Sequence, residues 1–109
     1  MEAEEVRFVW LMVFFDLPTR SKPQRGRASR FRIFLKKDGY MMLQLSVYAR
    51  VCRGQDAVDK HLKRVRSSLP PEGSVRTLQV TDRQYGRMDL MLGTAPKTEL
   101  IGGTQMVLL

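Results

Sequence analysis

The residue best placed for chemistry is Asp16, a carboxylate at the end of a long apolar run. Residues 6–17 are rich in Val, Phe, Trp and Leu without helical spacing, which predicts a strand buried on both faces. A carboxylate that ends such a strand lies at a rigid edge of the sheet, where a ligand can approach. The alternative is that Asp16 only starts the turn through Pro18, as aspartate often does.

Asp16 is also a suitable magnesium ligand. Magnesium often uses only one or two protein carboxylates together with substrate phosphates. A twofold dimer would bring two copies of Asp16 together, and the metal would polarise a phosphodiester and activate water for attack. We therefore predict Asp16 as both the catalytic and the metal-binding residue, with Mg²⁺ as the cofactor.

A strongly basic segment follows Asp16 and is opposed only by Asp38. Guanidinium groups pair with phosphate oxygens in a bidentate manner, whereas an ordinary solvated helix face mixes both signs of charge. No aromatic residues interleave the outer positions, which favours contact with a duplex backbone over stacking on single-stranded bases. The predicted nucleic-acid contacts are Arg20, Arg25, Arg27, Arg30, Arg32 and Lys36.

Other catalytic systems find little support in the sequence. The single histidine, His61, lies beside the apolar stripe of a predicted helix, and we interpret it as structural. The lone Cys52 has no second cysteine for a disulfide or a zinc site. Nucleophile-elbow and Gly-rich phosphate-loop motifs are absent.

Composition agrees with a small nucleic-acid-binding protein. The 109 residues suffice for one domain, and a net charge of +8 attracts polyanions. The apolar run over residues 8–15 is too short to span a membrane, and the acidic residues 1–5 are unlike a secretory signal. We expect a cytoplasmic protein without membrane contact.

The middle of the chain predicts a helix followed by strand structure. Residues 25–38 carry an apolar stripe at helical spacing and end at Gly39. Residues 41–52 alternate, which predicts a core face of Leu43, Leu45, Val47, Ala49 and Val51 and a polar face of Gln44, Ser46, Tyr48 and Arg50. Their length leaves open a single strand or a division near residues 44–46.

The remaining elements complete an α+β pattern. We predict a helix over residues 55–69, a strand over 74–81, a turn or short helical link over 82–87 and a strand over 88–92. Two helices on one face of a mostly antiparallel sheet fit the ferredoxin-like sandwich best. This domain spans residues 1–93, and the tail 94–109 has an apolar end that needs a surface to cover it.

Four sequence pieces, in this order, resemble the CRISPR-associated protein 2 family over residues 8–93. They are VFFDLP at 13–18, RFRIFLKKDGY at 30–40, QLSVYAR at 44–50 and VRTLQVTDRQY at 75–85, followed by Met88 and the Leu92-Gly93 end. The chain is similar to the variants that accompany compact type II CRISPR systems.

The resemblance implies a ferredoxin-like homodimer whose sheets face one another, with the tail 94–109 packed on a neighbouring subunit. It implies that paired copies of Asp16 hold magnesium and that Arg30 contacts nucleic acid. It also implies an endoribonuclease, with duplex DNA cleavage in some members, that bridges two dimers of the integrase CRISPR-associated protein 1 during spacer acquisition. The chain departs from the family in its acidic lead and in loop 19–24, which lacks a second acidic residue.

Three alternatives stay open at this point. A purely structural DNA-bridging subunit needs no catalysis, and a toxin-like RNA interferase needs no integrase. A metabolite-binding regulatory module of the same fold needs no basic helix. The sequence does not distinguish RNA from DNA as the substrate.

Overall fold

The computed structural model describes residues 7–93, which form four strands and three helices. Their order is β1 (Phe8–Asp16), α1 (Lys22–Lys37), β2 (Met41–Gln44), β3 (Val47–Arg53), α2 (Gln55–Ser67), β4 (Ser74–Thr81) and α3 (Asp82–Gly86). The strands pair antiparallel in the order β2-β3-β1-β4. This order confirms the ferredoxin-like α+β prediction. Within residues 7–93, no helix is both long and apolar enough to cross a membrane.

The core lies between one face of the sheet and the two long helices. Leu11, Val13 and Phe15 alternate along β1, and all three are buried. They form one cluster with Phe31 and Leu35 of α1 and with Val58 and Val65 of α2. Because β1 pairs with β3 on one side and β4 on the other, it is held in place along its whole length.

Helix α1 begins three residues earlier than predicted. Ser21 caps it, since its hydroxyl accepts the Gln24 backbone N–H at 3.2 Å while the Gln24 side chain accepts the Ser21 N–H at 3.0 Å. Pro23 fits the first turn, where a helix needs no backbone donor. Gly39 follows the helix with φ +95, which a residue with a side chain rarely adopts.

The alternation predicted for residues 41–52 is wrong, although the division near residues 44–46 is confirmed. A turn separates β2 from β3, and the pairing register shifts between Met42 and Gln44. Tyr48 is fully buried among the core residues, whereas Val51 is 41% exposed and Leu45, in the turn, is 69% exposed. Hydrophobic side chains occupy both faces of β3, so alternation alone assigned the faces incorrectly.

The predicted strand over residues 88–92 is also wrong. These residues form no regular structure and pair with no strand within the described part of the chain. Leu90 and Met91 are 80% and 83% exposed. An apolar segment forms a strand only where it pairs with a sheet edge, and residues 88–92 pair with neither of the edge strands, β2 and β4. The tail 94–109 lies outside the described residues.

The side of the sheet opposite the long helices is apolar and largely uncovered. We call it the open sheet face. Arg53 and Arg76 share this side, and its apolar side chains include Phe8, Trp10, Met12, Phe14, Met41, Val51 and Leu78. Phe8, Met41, Val51 and Leu78 are each more than 40% exposed. Within residues 7–93, Met12 on this face is buried, and Tyr85 of α3 stacks on Trp10 with ring centroids 3.8 Å apart.

Candidate active site and nucleic-acid interface

Asp16 is the last residue of the central strand β1. Its backbone pairs with Ser74 of β4, and strand alternation places its side chain on the same side as the open sheet face. The residue is exposed, and its carboxylate has no hydrogen bond or ion pair within residues 7–93. The edge position predicted from sequence is therefore present, with its carboxylate accessible.

Asp16 lines an open depression of about 630 Å³. The other lining residues come from the loop after β1, from the start of α1 and from the turn before β4, and they are Leu17, Pro18, Thr19, Arg20, Gln24, Glu72 and Gly73. Arg20 is the predicted contact that shares this depression. Glu72 is a second acidic residue that sequence analysis missed, because it lies far along the chain from Asp16.

The loop between β1 and α1 is held by its own polar groups. Nη1 of Arg25 donates to the carbonyl oxygens of Thr19 and Arg20, each at 3.1 Å. The Gln24 side chain accepts the Arg20 backbone N–H at 2.9 Å. These hydrogen bonds hold the loop in place and thereby fix the backbone position of Arg20.

Arg27 and Arg30 lie on the next part of α1. Together they line a groove of about 330 Å³ whose walls include Phe34 and the Pro70-Pro71 pair. Nη2 of Arg27 donates to Oε1 of Glu72 at 2.9 Å, so this guanidinium already has an anionic partner. Arg30 is exposed. The structure thus places these two arginines beside the Asp16 depression but not in it.

Arg32 and Lys36 lie away from the depression. The Arg32 guanidinium carbon sits 5.6 Å from the centre of the Phe15 ring, and its Nε is buried without a hydrogen-bond partner in the described residues. Lys36 is exposed in the last turn of α1, where a positive charge is favourable beside the helix carbonyls. The Arg32 side chain is therefore partly buried against the core, whereas the Lys36 side chain is exposed to solvent.

His61 belongs to a separate buried cluster. Its Nδ1 lies 2.8 Å from Oδ2 of Asp38, whose other oxygen accepts from Arg64 at 2.7 Å. Arg50 donates to the Asp38 backbone carbonyl. Burial alone would raise the pKa of Asp38, but the hydrogen bonds and charges of His61 and Arg64 outweigh it and lower that pKa. The cluster joins α1 to α2, which fits the structural interpretation of His61.

The Asp16 depression suits a magnesium ion only in part. Within residues 7–93, no three His, Cys, Asp or Glu side chains are grouped as a metal site. Of the two carboxylates in the depression, Glu72 is engaged by Arg27 and Gln24. Each chain thus offers one unengaged carboxylate, which fits magnesium if a second copy or substrate phosphates supply further oxygens.

The sequence of this chain is similar to the sequences of known proteins. Residues 9–88 match the family described as CRISPR associated protein Cas2. A CRISPR-associated endoribonuclease Cas2 of Flavobacterium psychrophilum is 44% identical over 92 residues, covering 84% of this chain and 80% of its own length. The protein of the same name from Acidovorax ebreus is 51% identical over 83 residues, covering 76% of this chain and 81% of its own length.

A solved structure extends the likeness to the fold. The structure titled "Crystal structure of cas2" superposes with a TM-score of 0.59 at 16% sequence identity, over 93% of this chain and 99% of that one. The match over residues 9–88 and the identity of the two relatives establish the family. The chain therefore belongs to the CRISPR-associated protein Cas2 family.

Proposed function

We propose that this chain is a homodimeric, Mg²⁺-dependent endonuclease of CRISPR adaptation that cleaves RNA, and in which two copies of Asp16 share one metal site. The observation that carries the proposal is the position of Asp16, at the end of the central strand and on the same side as the open sheet face. Both relatives described above are named endoribonucleases.

The open sheet face supports the homodimer. Phe8, Met41, Val51 and Leu78 lie one on each of the four strands, on one side of the sheet, and leave much of their surface in water. An exposed apolar patch of this kind marks an interaction surface. In a twofold dimer the same patch meets itself, and Asp16 at its margin approaches the Asp16 of the second copy.

The chemistry of cleavage is divided between the metal and the chain. Magnesium, when bound, polarises the scissile phosphodiester and favours attack by water. The two Asp16 carboxylates hold the ion, and the fixed end of β1 sets their position. Arg20 lines the same depression, which supports a role for its guanidinium group in binding a phosphate oxygen of the substrate.

The basic residues of α1 support binding of a nucleic-acid backbone. Arg30 and Lys36 are exposed, and the chain as a whole carries a net charge of +8. Phosphate contacts of this kind carry no base information, so duplex DNA is bound as well as RNA. We propose that the dimer uses this surface to bridge two dimers of CRISPR-associated protein 1 on DNA in the cytoplasm during spacer acquisition.

The test of catalysis is cleavage of labelled RNA and labelled duplex DNA, with magnesium or with a chelator. We compare the wild type with Asp16→Asn and with Asp56→Asn, a matched loss of one charge near the start of α2. The proposal predicts magnesium-dependent RNA cleavage by the wild type and by Asp56→Asn but not by Asp16→Asn, with binding retained in all three.

Other outcomes would separate the alternatives. Equal, metal-independent traces of cleavage in all three proteins would refute catalysis and leave a DNA-bridging subunit. RNA cleavage in cells that needs no CRISPR-associated protein 1 and arrests growth would instead indicate a toxin-like interferase.

A further inference from the structure

Glu72 connects the basic helix to the Asp16 depression. Its Oε1 accepts from Nη2 of Arg27 at 2.9 Å and from Nε2 of Gln24 at 3.4 Å. The side chains of Arg27 and Glu72 are 33% and 49% exposed, so the pair is open to solvent. An arginine predicted to contact phosphate is thus already occupied by a carboxylate of its own chain.

The position of Glu72 is fixed by the glycine that follows it. Gly73 has φ +91, and a Cβ there would stand 2.6 Å from the Asp16 carbonyl oxygen. The turn therefore packs directly on the end of β1, and only glycine fits. This contact keeps Glu72 in the wall of the depression that also contains Asp16 and Arg20.

From this geometry we propose that Glu72 is a built-in competitor for phosphate at Arg27 and thereby sets the affinity of the chain for nucleic acid. The inference rests on the proposed nucleic-acid binding. A carboxylate and a phosphate use the same donors of a guanidinium group, so Arg27 binds one or the other. Exposed ion pairs are weak, so a phosphate oxygen can displace Glu72.

The competition has two physical components. While Glu72 holds Arg27, the bound nucleic acid has one phosphate contact fewer. The negative charge of Glu72 also repels phosphates that approach Arg20 and Asp16 in the depression. Replacing Glu72 by Gln removes the repulsion and weakens the hold on Arg27, because a neutral amide oxygen is a weaker acceptor than a carboxylate, and it leaves the shape of the side chain nearly unchanged.

The test measures binding of labelled RNA and labelled duplex DNA without magnesium, at several salt concentrations. Four proteins are compared, namely the wild type, Glu72→Gln, Arg27→Ala and the double variant, with Asp56→Asn as a control for the gain of one net positive charge. Asp56 is in the first turn of α2, close to the start of β1. Glu72 lies close to the other end of β1.

We expect Glu72→Gln to bind both nucleic acids about two- to fivefold more tightly than Asp56→Asn. Its salt dependence should be steeper by about one phosphate contact, because the freed Arg27 binds one more phosphate. In the Arg27→Ala background the same change should give a smaller gain, because only the removal of the repulsion in the depression remains.

Two results would overturn the inference. One is equal affinity of Glu72→Gln and Asp56→Asn, and the other is an undiminished gain in the absence of Arg27. If the wild type and every variant fail to bind RNA or DNA, the proposed function itself is refuted and this inference with it.

Discussion

The buried cluster around Asp38 gives a quantitative prediction about stability. The Asp38 side chain is 7% exposed and contacts His61, which is 6% exposed, and Arg64, which is 51% exposed. Replacing Asp38 by Ala removes both contacts and leaves His61 buried without its partner. Replacing Arg64 by Ala removes only the solvent-exposed contact.

The two substitutions differ in size because the two contacts differ in burial. Removing one partner of a buried pair costs about 3–5 kcal/mol, and a solvent-exposed pair contributes about 0–1 kcal/mol. We therefore expect Asp38→Ala to lower the free energy of unfolding by about 3 kcal/mol or more. Arg64→Ala should lower it by less than about 1 kcal/mol.

Urea unfolding followed by circular dichroism measures both values, at one fixed protein concentration because the proposed dimer makes stability depend on concentration.

The pKa of Asp38 is lower in the folded chain than its ordinary value of 3.8. The contribution of the Asp38 carboxylate to the free energy of unfolding is therefore complete above pH 3.8, and it is lost as the pH falls through the pKa of the folded chain. The difference between wild type and Asp38→Asn should shrink correspondingly in acid. A loss from Asp38→Ala no larger than that from Arg64→Ala would refute the reasoning.

Three further predictions concern other parts of the fold. Gly73→Ala should lower the melting temperature clearly, because the φ of Gly73 is +91 and a Cβ there would meet the Asp16 carbonyl oxygen. Gly86→Ala should not lower it, because Gly86 has open space around it, and equal melting temperatures of the two variants would contradict this prediction. Val51→Glu should make the proposed dimer dissociate in analytical ultracentrifugation. Ile33→Glu, at a residue on α1 that is 51% exposed against 41% for Val51, should leave it intact; a stable Val51→Glu dimer would exclude the open sheet face as the interface. Tyr48→Phe should leave the free energy of unfolding unchanged or higher, because the buried hydroxyl has no partner in the described residues, and a loss above about 1 kcal/mol would show an unseen partner.

Sequence patterns predicted the elements that depend on local signals. The apolar run ending at Asp16 is the central strand, and the short link after residue 81 is helix α3. Both long helices follow from their apolar stripes, whereas the first residue of α1 is set by the capping box of Ser21 and Gln24, which lies outside the apolar stripe. These features depend on neighbours within a few positions, which a sequence displays directly.

Features that depend on distant contacts were not predictable in the same way. Arg50 lies on the core side of β3 because its guanidinium group contacts the Asp38 carbonyl oxygen and the His61 ring. A polar residue at this position therefore does not mark a solvent-exposed face. Residues 88–92 have the composition of a strand but pair with neither β2 nor β4, the two edge strands of the described sheet. Glu72 meets Arg27 only because the turn at residue 73 packs on the end of β1.

The most direct test of the shared Asp16 site is RNA cleavage by mixed dimers. Wild-type protein is kept at a constant concentration, an equal amount of Asp16→Asn is added, and subunits are allowed to exchange. If one site needs Asp16 from both copies, random pairing leaves about half of the original wild-type dimers, and cleavage falls to about half. The same addition of Asp56→Asn should raise cleavage about twofold, because all dimers are then competent. Cleavage that stays unchanged on adding Asp16→Asn would show that each subunit acts alone and would contradict the shared site.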